Sequence, residues 1–199
     1  MLSARRTASI LMTTIVFATL AACGTAEAEA GPTYDYGPPG SEVSDEVKAA
    51  LGPELTLTFE ITGAVSVTGS TTSTAPSGSG KFLETCAEYA KGTDESLFLT
   101  AGLLDGPVGG HDLTVEMWID DYAGPGSYPK DQLVAPGNRP SIAIDNRVYG
   151  TWPDSTGSKA VTDGQGGGSW TFTKLATTGE GGLPGDAISG TLSWTCREY

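Results

Sequence analysis

The stretch Glu54-Leu-Thr-Leu-Thr-Phe-Glu-Ile-Thr62 alternates apolar side chains with hydroxyl or acidic ones. The apolar set is Leu55, Leu57, Phe59 and Ile61, and successive side chains of a strand point to opposite faces of a sheet. A period of two therefore predicts a β-strand with one face in the core and the other in water.

Similar segments recur along the rest of the 199-residue chain, and the gaps between them hold Gly, Pro, Asn or Asp. No amphipathic helical pattern separates these segments, so antiparallel pairing is favoured over βαβ units. The predicted class is all-β, an antiparallel β-sandwich or barrel-like domain with one short N-terminal helix and one disulfide. The further predicted strands are Val65–Val67, Lys81–Tyr89, Ser96–Leu104, Asp112–Ile119, Ser141–Asp145, Arg147–Trp152, Ala160–Thr162, Ser169–Leu175 and Ile188–Arg197. The Ser/Thr/Gly-rich stretch Ser66–Gly80 is predicted to be a loop or hairpin end, and it offers hydroxyls for O-glycosylation.

The N-terminus is predicted to be an export signal, in which two arginines precede the apolar stretch Ala8–Ala22. At about 15 residues this stretch is too short to span a bilayer comfortably. Its end, Leu20-Ala21-Ala22-Cys23, resembles the lipobox of bacterial lipoproteins at all four positions. The resemblance implies cleavage before Cys23 and lipidation of its sulfur, which would anchor the chain to a membrane. The alternative is an ordinary secretory signal cleaved near Ala28 or Ala30.

Three regions follow from these patterns: a signal peptide at 1–22, a flexible tether at 23–43 and a β domain at 44–199. The tether is rich in Gly, Pro, Ala and Glu without periodicity. The domain begins with a short predicted helix, where Ser44 is the N-cap and Gly52-Pro53 the terminator. The net charge of −13 offers no basic patch to phosphates, so nucleic acid is not an expected partner.

Cys86 and Cys196 lie in predicted strands of this exported domain. Thiols outside the cytoplasm tend to be oxidised, which predicts a single disulfide between them. The same alternation places Trp194 on the buried face beside Cys196. Such a bond would attach the C-terminal strand to an earlier part of the chain.

No motif in the sequence predicts catalysis, a cofactor or a metal site. His111 is the only histidine, and Asp112 beside it would point to the opposite strand face, so the two cannot form the orienting pair of a triad. The sequence lacks a nucleophile elbow and zinc-ligand spacing. We therefore predict that the protein is not an enzyme, while acid pairs such as Asp120 and Asp121 stay open as general acid and base.

One segment has an unusual placement of aromatic residues. The alternation from Leu113 to Ile119 leaves Trp118 on the polar face, and a Gly-Pro turn with two tyrosines follows it. This predicts a shallow aromatic and acidic site for a glycan, a peptide or Ca²⁺. The alternative is that both strand faces are covered and Trp118 belongs to the core. The candidate ligand-binding residues are Trp118, Asp120, Asp121, Tyr122 and Tyr128.

The lipobox, the tether, the two-cysteine β domain and the closing stretch Ile188–Cys196 together resemble small actinobacterial surface lipoproteins. In layout the chain is similar to the mycobacterial 19 kDa lipoprotein antigen family. That resemblance implies a lipid-anchored protein of the cell membrane, facing the extracytoplasmic side, with a non-enzymatic binding or structural role in the cell envelope. The alternatives are an exported hydrolase of glycans or esters and an envelope carrier with a lipid ligand.

Overall fold

A computed structural model of the chain describes residues 52–78, 82–100, 104–134 and 138–199, which all belong to one compact unit. The predicted signal peptide at 1–22, the tether at 23–43 and the helix beginning at Ser44 lie outside the described residues. Cys23, the predicted lipidation site, lies outside them as well.

The described ranges contain β-strands with two four-residue helices between them. The strands are β1 (Glu54–Gly63), β2 (Val67–Thr74), β3 (Phe98–Leu99), β4 (Leu113–Glu116), β5 (Trp118–Ile119), β6 (Gly126–Pro129), β7 (Ser141–Ile144), β8 (Arg147–Gly150), β9 (Gly157–Thr162), β10 (Gly168–Thr178) and β11 (Pro184–Arg197). The helices are α1 (Cys86–Tyr89) and α2 (Lys130–Leu133).

Strand β1 has the alternation that the sequence predicts. Leu55, Leu57, Phe59 and Ile61 are buried, whereas the intervening side chains are half-buried or exposed. β1 pairs antiparallel with β2 on one side and with β11 on the other, so the first and last strands of the domain are neighbours.

The main sheet has the strand order β2-β1-β11-β10-β8-β7-β4, and all of its pairings are antiparallel. β9 pairs with β10 and with β6, while β3 and β5 form a separate two-stranded sheet. The main sheet curls into a half-barrel. The predicted all-β, barrel-like architecture is therefore confirmed.

Strand β10 changes partner halfway along its length. Its first half, Gly168–Thr173, pairs with β9, and Ala176 in its second half pairs with Gly150 of β8. The register against β11 shifts between Phe172 and Leu175, where a bulge places Lys174 at a φ of +59°. The bulge bends β10, so that one strand can pair with both β9 and β8.

The buried core of the domain is strongly aromatic. Phe98 is the hub, with ring centroids 4.9 Å from Tyr89, 4.9 Å from Tyr122 and 6.0 Å from Trp194. Offset and tilted aromatic pairs at these separations add to the free energy gained by burial. The largest fully buried side chains are Trp170, Trp194, Phe59, Phe98 and Phe172.

Two segment predictions were wrong. Lys81–Tyr89 was expected to be a strand, but Cys86–Tyr89 forms α1, because Thr85 and Glu88 close a capping box at its start. Ser66–Gly80 was expected to be a loop or hairpin end, but Val67–Thr74 forms β2 and pairs with β1 through eight residues. Threonine has high strand propensity, and here that outweighs the low-complexity composition.

Candidate functional site

The predicted disulfide is present and joins Cys86 to Cys196, whose Cα atoms are 5.8 Å apart. Cys196 lies in β11 as expected, but Cys86 opens α1 instead of lying in a strand. Gly166, in the β9–β10 turn, packs directly on the bond: a Cβ there would lie 2.8 Å from Cys196 Cβ and 3.2 Å from Cys86 O. With a φ of +85° as well, this position requires glycine.

The two tyrosines of the predicted ligand site are buried in the core. The Tyr122 hydroxyl donates to Ala90 O at 2.9 Å, and the Tyr128 hydroxyl bonds to Gly124 O in the turn between them. Their ring centroids are 5.4 Å apart. Burial is the main cause that raises the pKa of Tyr122. These side chains hold the turn in place, and they do not form an exposed aromatic platform.

Trp118 is neither fully covered nor fully exposed. Its indole Nε1 donates to Asp120 Oδ1 at 3.1 Å, and the Asp120 backbone N–H donates to Gln132 O at 2.9 Å. Asp121 is exposed at the corner, with a φ of +51°. The surface part of the predicted ligand site thus consists of Trp118, Asp120 and Asp121. Ligand binding there stays a prediction.

Asn138 lies beneath this surface and is 1% exposed. Its Nδ2 donates to Trp118 O at 2.9 Å, which fixes the backbone of β5. Among the described residues its Oδ1 is buried and has no hydrogen-bond partner. The sequence gives no signal for this residue, because its contact crosses 20 positions of the chain.

The structure brings together a histidine–aspartate pair that the sequence does not reveal. His111 Nδ1 lies 2.7 Å from Asp145 Oδ2, and Asp145 Oδ1 accepts the Asp112 backbone N–H at 3.0 Å. Asp145 comes from the two-residue turn Asp145-Asn146 between β7 and β8, 34 positions from His111. The hydrogen bond from His111, followed by the one from Asp112, lowers the pKa of Asp145.

The His111–Asp145 pair fixes one end of a surface segment. Residues 104–112 precede β4 in the chain and begin beside β2, where Asp105 N donates to Thr72 O at 2.9 Å. Thr72 Oγ1 donates to Asp105 Oδ2 at 2.5 Å. At the β4 end, His111 and Asp112 bond to Asp145. The segment thus connects β2 and β4, which are the two ends of the main strand order, and we call it the closing segment.

An open surface groove of about 420 Å³ is lined by Pro129, Lys130, Asp131, Val134 and Pro153. The Lys130 ammonium group bonds to Pro153 O across it. A smaller, partly open cavity of about 10 Å³ lies next to Tyr89 and Leu99. The groove is shallow and open, whereas typical small-molecule sites enclose most of their ligand.

Within the described ranges, no three His, Cys, Asp or Glu side chains converge as metal ligands would. The helices described there are also too short or too polar to span a bilayer. Comparison of the chain with protein-family models, with curated proteins and with solved structures found no match.

Proposed function

We propose that this protein is a membrane-anchored, extracytoplasmic lipoprotein whose β domain is a non-enzymatic binding or structural module of the cell envelope. Two features support the proposal from opposite ends of the chain: the lipobox-like stretch at Leu20–Cys23 and the disulfide at the C-terminus.

The disulfide is the observation that carries the proposal. Cytoplasmic thiols are kept reduced, while disulfides persist in secreted and envelope proteins. Here the bond links residues 110 positions apart and lies against the core, where Gly166 covers it. A bond placed in this way is a structural staple, and it supports a domain that works outside the cytoplasm.

The arrangement around Trp118 supports binding or structure over turnover. The Asp120 carboxylate accepts from the Trp118 indole, and the Asp120 backbone N–H donates to the Gln132 carbonyl, so these groups hold one another in fixed positions. A general acid and base would instead each direct a polar atom toward a substrate. A lipid carrier would need an enclosed cavity for acyl chains, whereas the groove between Pro129 and Pro153 is open to solvent and the cavity beside Tyr89 has room for about one water molecule.

One observation favours an exported hydrolase as the second candidate. A carboxylate on Nδ1 orients the imidazole of His111 and leaves Nε2 available, which is how histidine bases are positioned in many hydrolases. The test is a panel of glycan and ester substrates with the parent protein and with His111→Ala. Turnover that His111→Ala abolishes would replace the binding proposal.

The anchor is tested by Cys23→Ser in cells of the source organism. Because the lipid chains would be carried on that sulfur, the variant should leave the membrane fraction and appear, still folded, in the medium or soluble envelope fraction. Gly24→Ala, which keeps the cysteine, is the matched control and should stay with the membrane. A Cys23→Ser protein that remains membrane-bound would contradict the lipoprotein proposal.

A further inference from the structure

Phe82 is the most exposed large apolar side chain that the structure describes. It is 70% exposed, whereas Phe59, Phe98 and Phe172 are at most 1% exposed. The next residue, Leu83, is half-buried and packs against the core. Phe82 therefore lies at the margin of the core with most of its ring uncovered, and covering that ring would remove apolar surface from water.

Two segments outside the described residues adjoin Phe82. One is the part of the chain that precedes Gly52: a Cβ placed on Gly52 would lie 2.7 Å from Leu83 O, so the backbone of Gly52 lies against the backbone of Leu83. The other segment is Ser79-Gly80-Lys81, which has no large apolar side chain to offer to a phenyl ring. The residues that precede Gly52 are therefore the part of the chain best placed to cover Phe82.

Gly52 has the backbone conformation that commonly follows the last residue of a helix. Its φ is +103°, and Pro53 comes directly after it. Many helices end on a glycine with a positive φ, and proline is common just beyond because it cannot continue the helix. The sequence predicts a helix that begins at Ser44 and stops at Gly52-Pro53, and the conformation of Gly52 supports that prediction.

A helix this short needs a surface to pack on. Isolated helices shorter than roughly 12 to 15 residues are marginal in water, and Ser44–Leu51 is shorter than that. Val47, Ala50 and Leu51 would form an apolar stripe along one side of the helix. Because a helix rises about 1.5 Å per residue, Val47 would lie only about 6 Å beyond Leu51. The whole stripe would thus stay close to the point where the chain meets Leu83.

We propose that the segment Ser44–Leu51 forms a helix whose apolar stripe packs on Phe82. The charges beside the two apolar sets are complementary, because Lys48 lies within the helix and the exposed Glu84 lies two residues after Phe82. The inference goes beyond the proposed function, since it assigns the surface that joins the β domain to the predicted tether. A docked helix would confine the flexible connection to residues 23–43 and give the domain a fixed orientation at its end.

The test is limited digestion of the full-length protein by trypsin in mild detergent. Lys48 is the only lysine or arginine between Arg6 and Lys81, so mass spectrometry identifies a cut after Lys48 without ambiguity. Proteases cut segments that are locally unfolded, and a docked helix should therefore be cut slowly. Phe82→Ser removes the surface on which the helix packs, and this variant should be cut after Lys48 at least tenfold faster than the parent protein.

Leu183→Ser is the matched control, because Leu183 is 67% exposed and lies in the turn between β10 and β11. It should be cut after Lys48 at the rate of the parent protein. Leu51→Ser removes the other side of the contact and should also speed the cut. Leu51→Ser with Phe82→Ser should be cut no faster than the faster single variant, since both changes remove one contact. The melting temperature establishes that the β domain of each variant is folded.

Two outcomes would overturn the inference. In the first, the parent protein and Phe82→Ser are cut after Lys48 at the same rate. In the second, sedimentation reveals a dimer that Phe82→Ser dissociates, and the protection of Lys48 in the parent protein is lost on dilution. That result would assign Phe82 to an interface between two copies of the chain. Neither outcome affects the Cys23→Ser result, so the anchor proposal stands or fails separately.

Discussion

His111 and Asp145 hold the closing segment against the β7–β8 turn. Because a carboxylate only accepts hydrogen bonds, Nδ1 carries the proton in this contact, and the charged form of Asp145 is the one stabilised. The pKa of Asp145 is accordingly lowered, first by the His111 hydrogen bond and then by the Asp112 backbone. The carboxylate thus contributes stability above the pKa that aspartate has in the unfolded chain.

Asp145→Asn should lower the stability of the domain at neutral pH and should have little effect in acid. A lowered pKa means that the contribution is complete above about pH 4 and is lost as the pH falls through the folded-state value. Denaturant unfolding of parent and variant across this range measures the difference. Asp112→Asn is the control, because only the backbone of Asp112 joins the contact. Equal pH dependence in parent and Asp145→Asn would contradict the prediction.

The sequence predicts part of the surface around Trp118. The alternation Leu113, Val115, Met117 and Ile119 is buried as expected, because one strand face lies against a core. Burial of Tyr122 and Tyr128 was not predictable, since it depends on Phe98 and Ala90 from another part of the chain. The His111–Asp145 pair was missed for the same reason. The periodicity of the sequence shows which residues share a strand face, but tertiary contacts determine what packs on that face.

At the scale of elements, the bulge in β10 concentrates backbone strain at Lys174. Its φ of +59° lies in the left-handed region, which is unfavourable for a residue with a Cβ, and its side chain is exposed to solvent. Its N–H donates to Ser189 Oγ at 3.0 Å, and its carbonyl accepts from Thr156 Oγ1 at 2.9 Å. These two bonds hold the bulge open where β9 and β8 diverge.

Lys174→Gly should stabilise the domain by about 1 kcal/mol relative to Lys174→Ala, because only glycine adopts this conformation without a Cβ penalty. Both substitutions remove the same charged side chain, so their difference isolates the backbone. Thermal or denaturant unfolding measures it. If the alanine variant proves at least as stable as the glycine variant, the bulge is not strained.

Elements were predicted well where one face is apolar and poorly where it is not. β1 and the closing half of β11 have clear alternation, and their positions follow from it. β2 has only Val67 as a large apolar residue, so its place in the sheet depends on pairing with β1. Around Thr85 the alternating pattern predicts a strand, but the capping box at Thr85 starts helix α1 instead.

For the whole molecule, the disulfide is the main covalent restraint on the unfolded chain. It closes a loop of 110 residues, which on the chain-entropy model is worth roughly 4 to 5 kcal/mol. Cys86→Ser with Cys196→Ser should therefore lower the melting temperature by many degrees. Cys23→Ser removes a cysteine outside this bond and should leave the melting temperature unchanged. A double variant that melts within about 2 °C of the parent would contradict this role.

Because β1 pairs with β11, the main sheet cannot be completed before β11 has been synthesised. Glu54 lies beside Arg197, so the strand that leaves the ribosome first needs the last one as its neighbour. Until β11 has been synthesised, Leu55, Leu57 and Phe59 lack one of their two neighbouring strands. Because these contacts join distant parts of the chain, we expect folding to be slow for a domain of this size. A chain of this topology cannot complete its main sheet before β11 is available, so its other strands stay accessible until then.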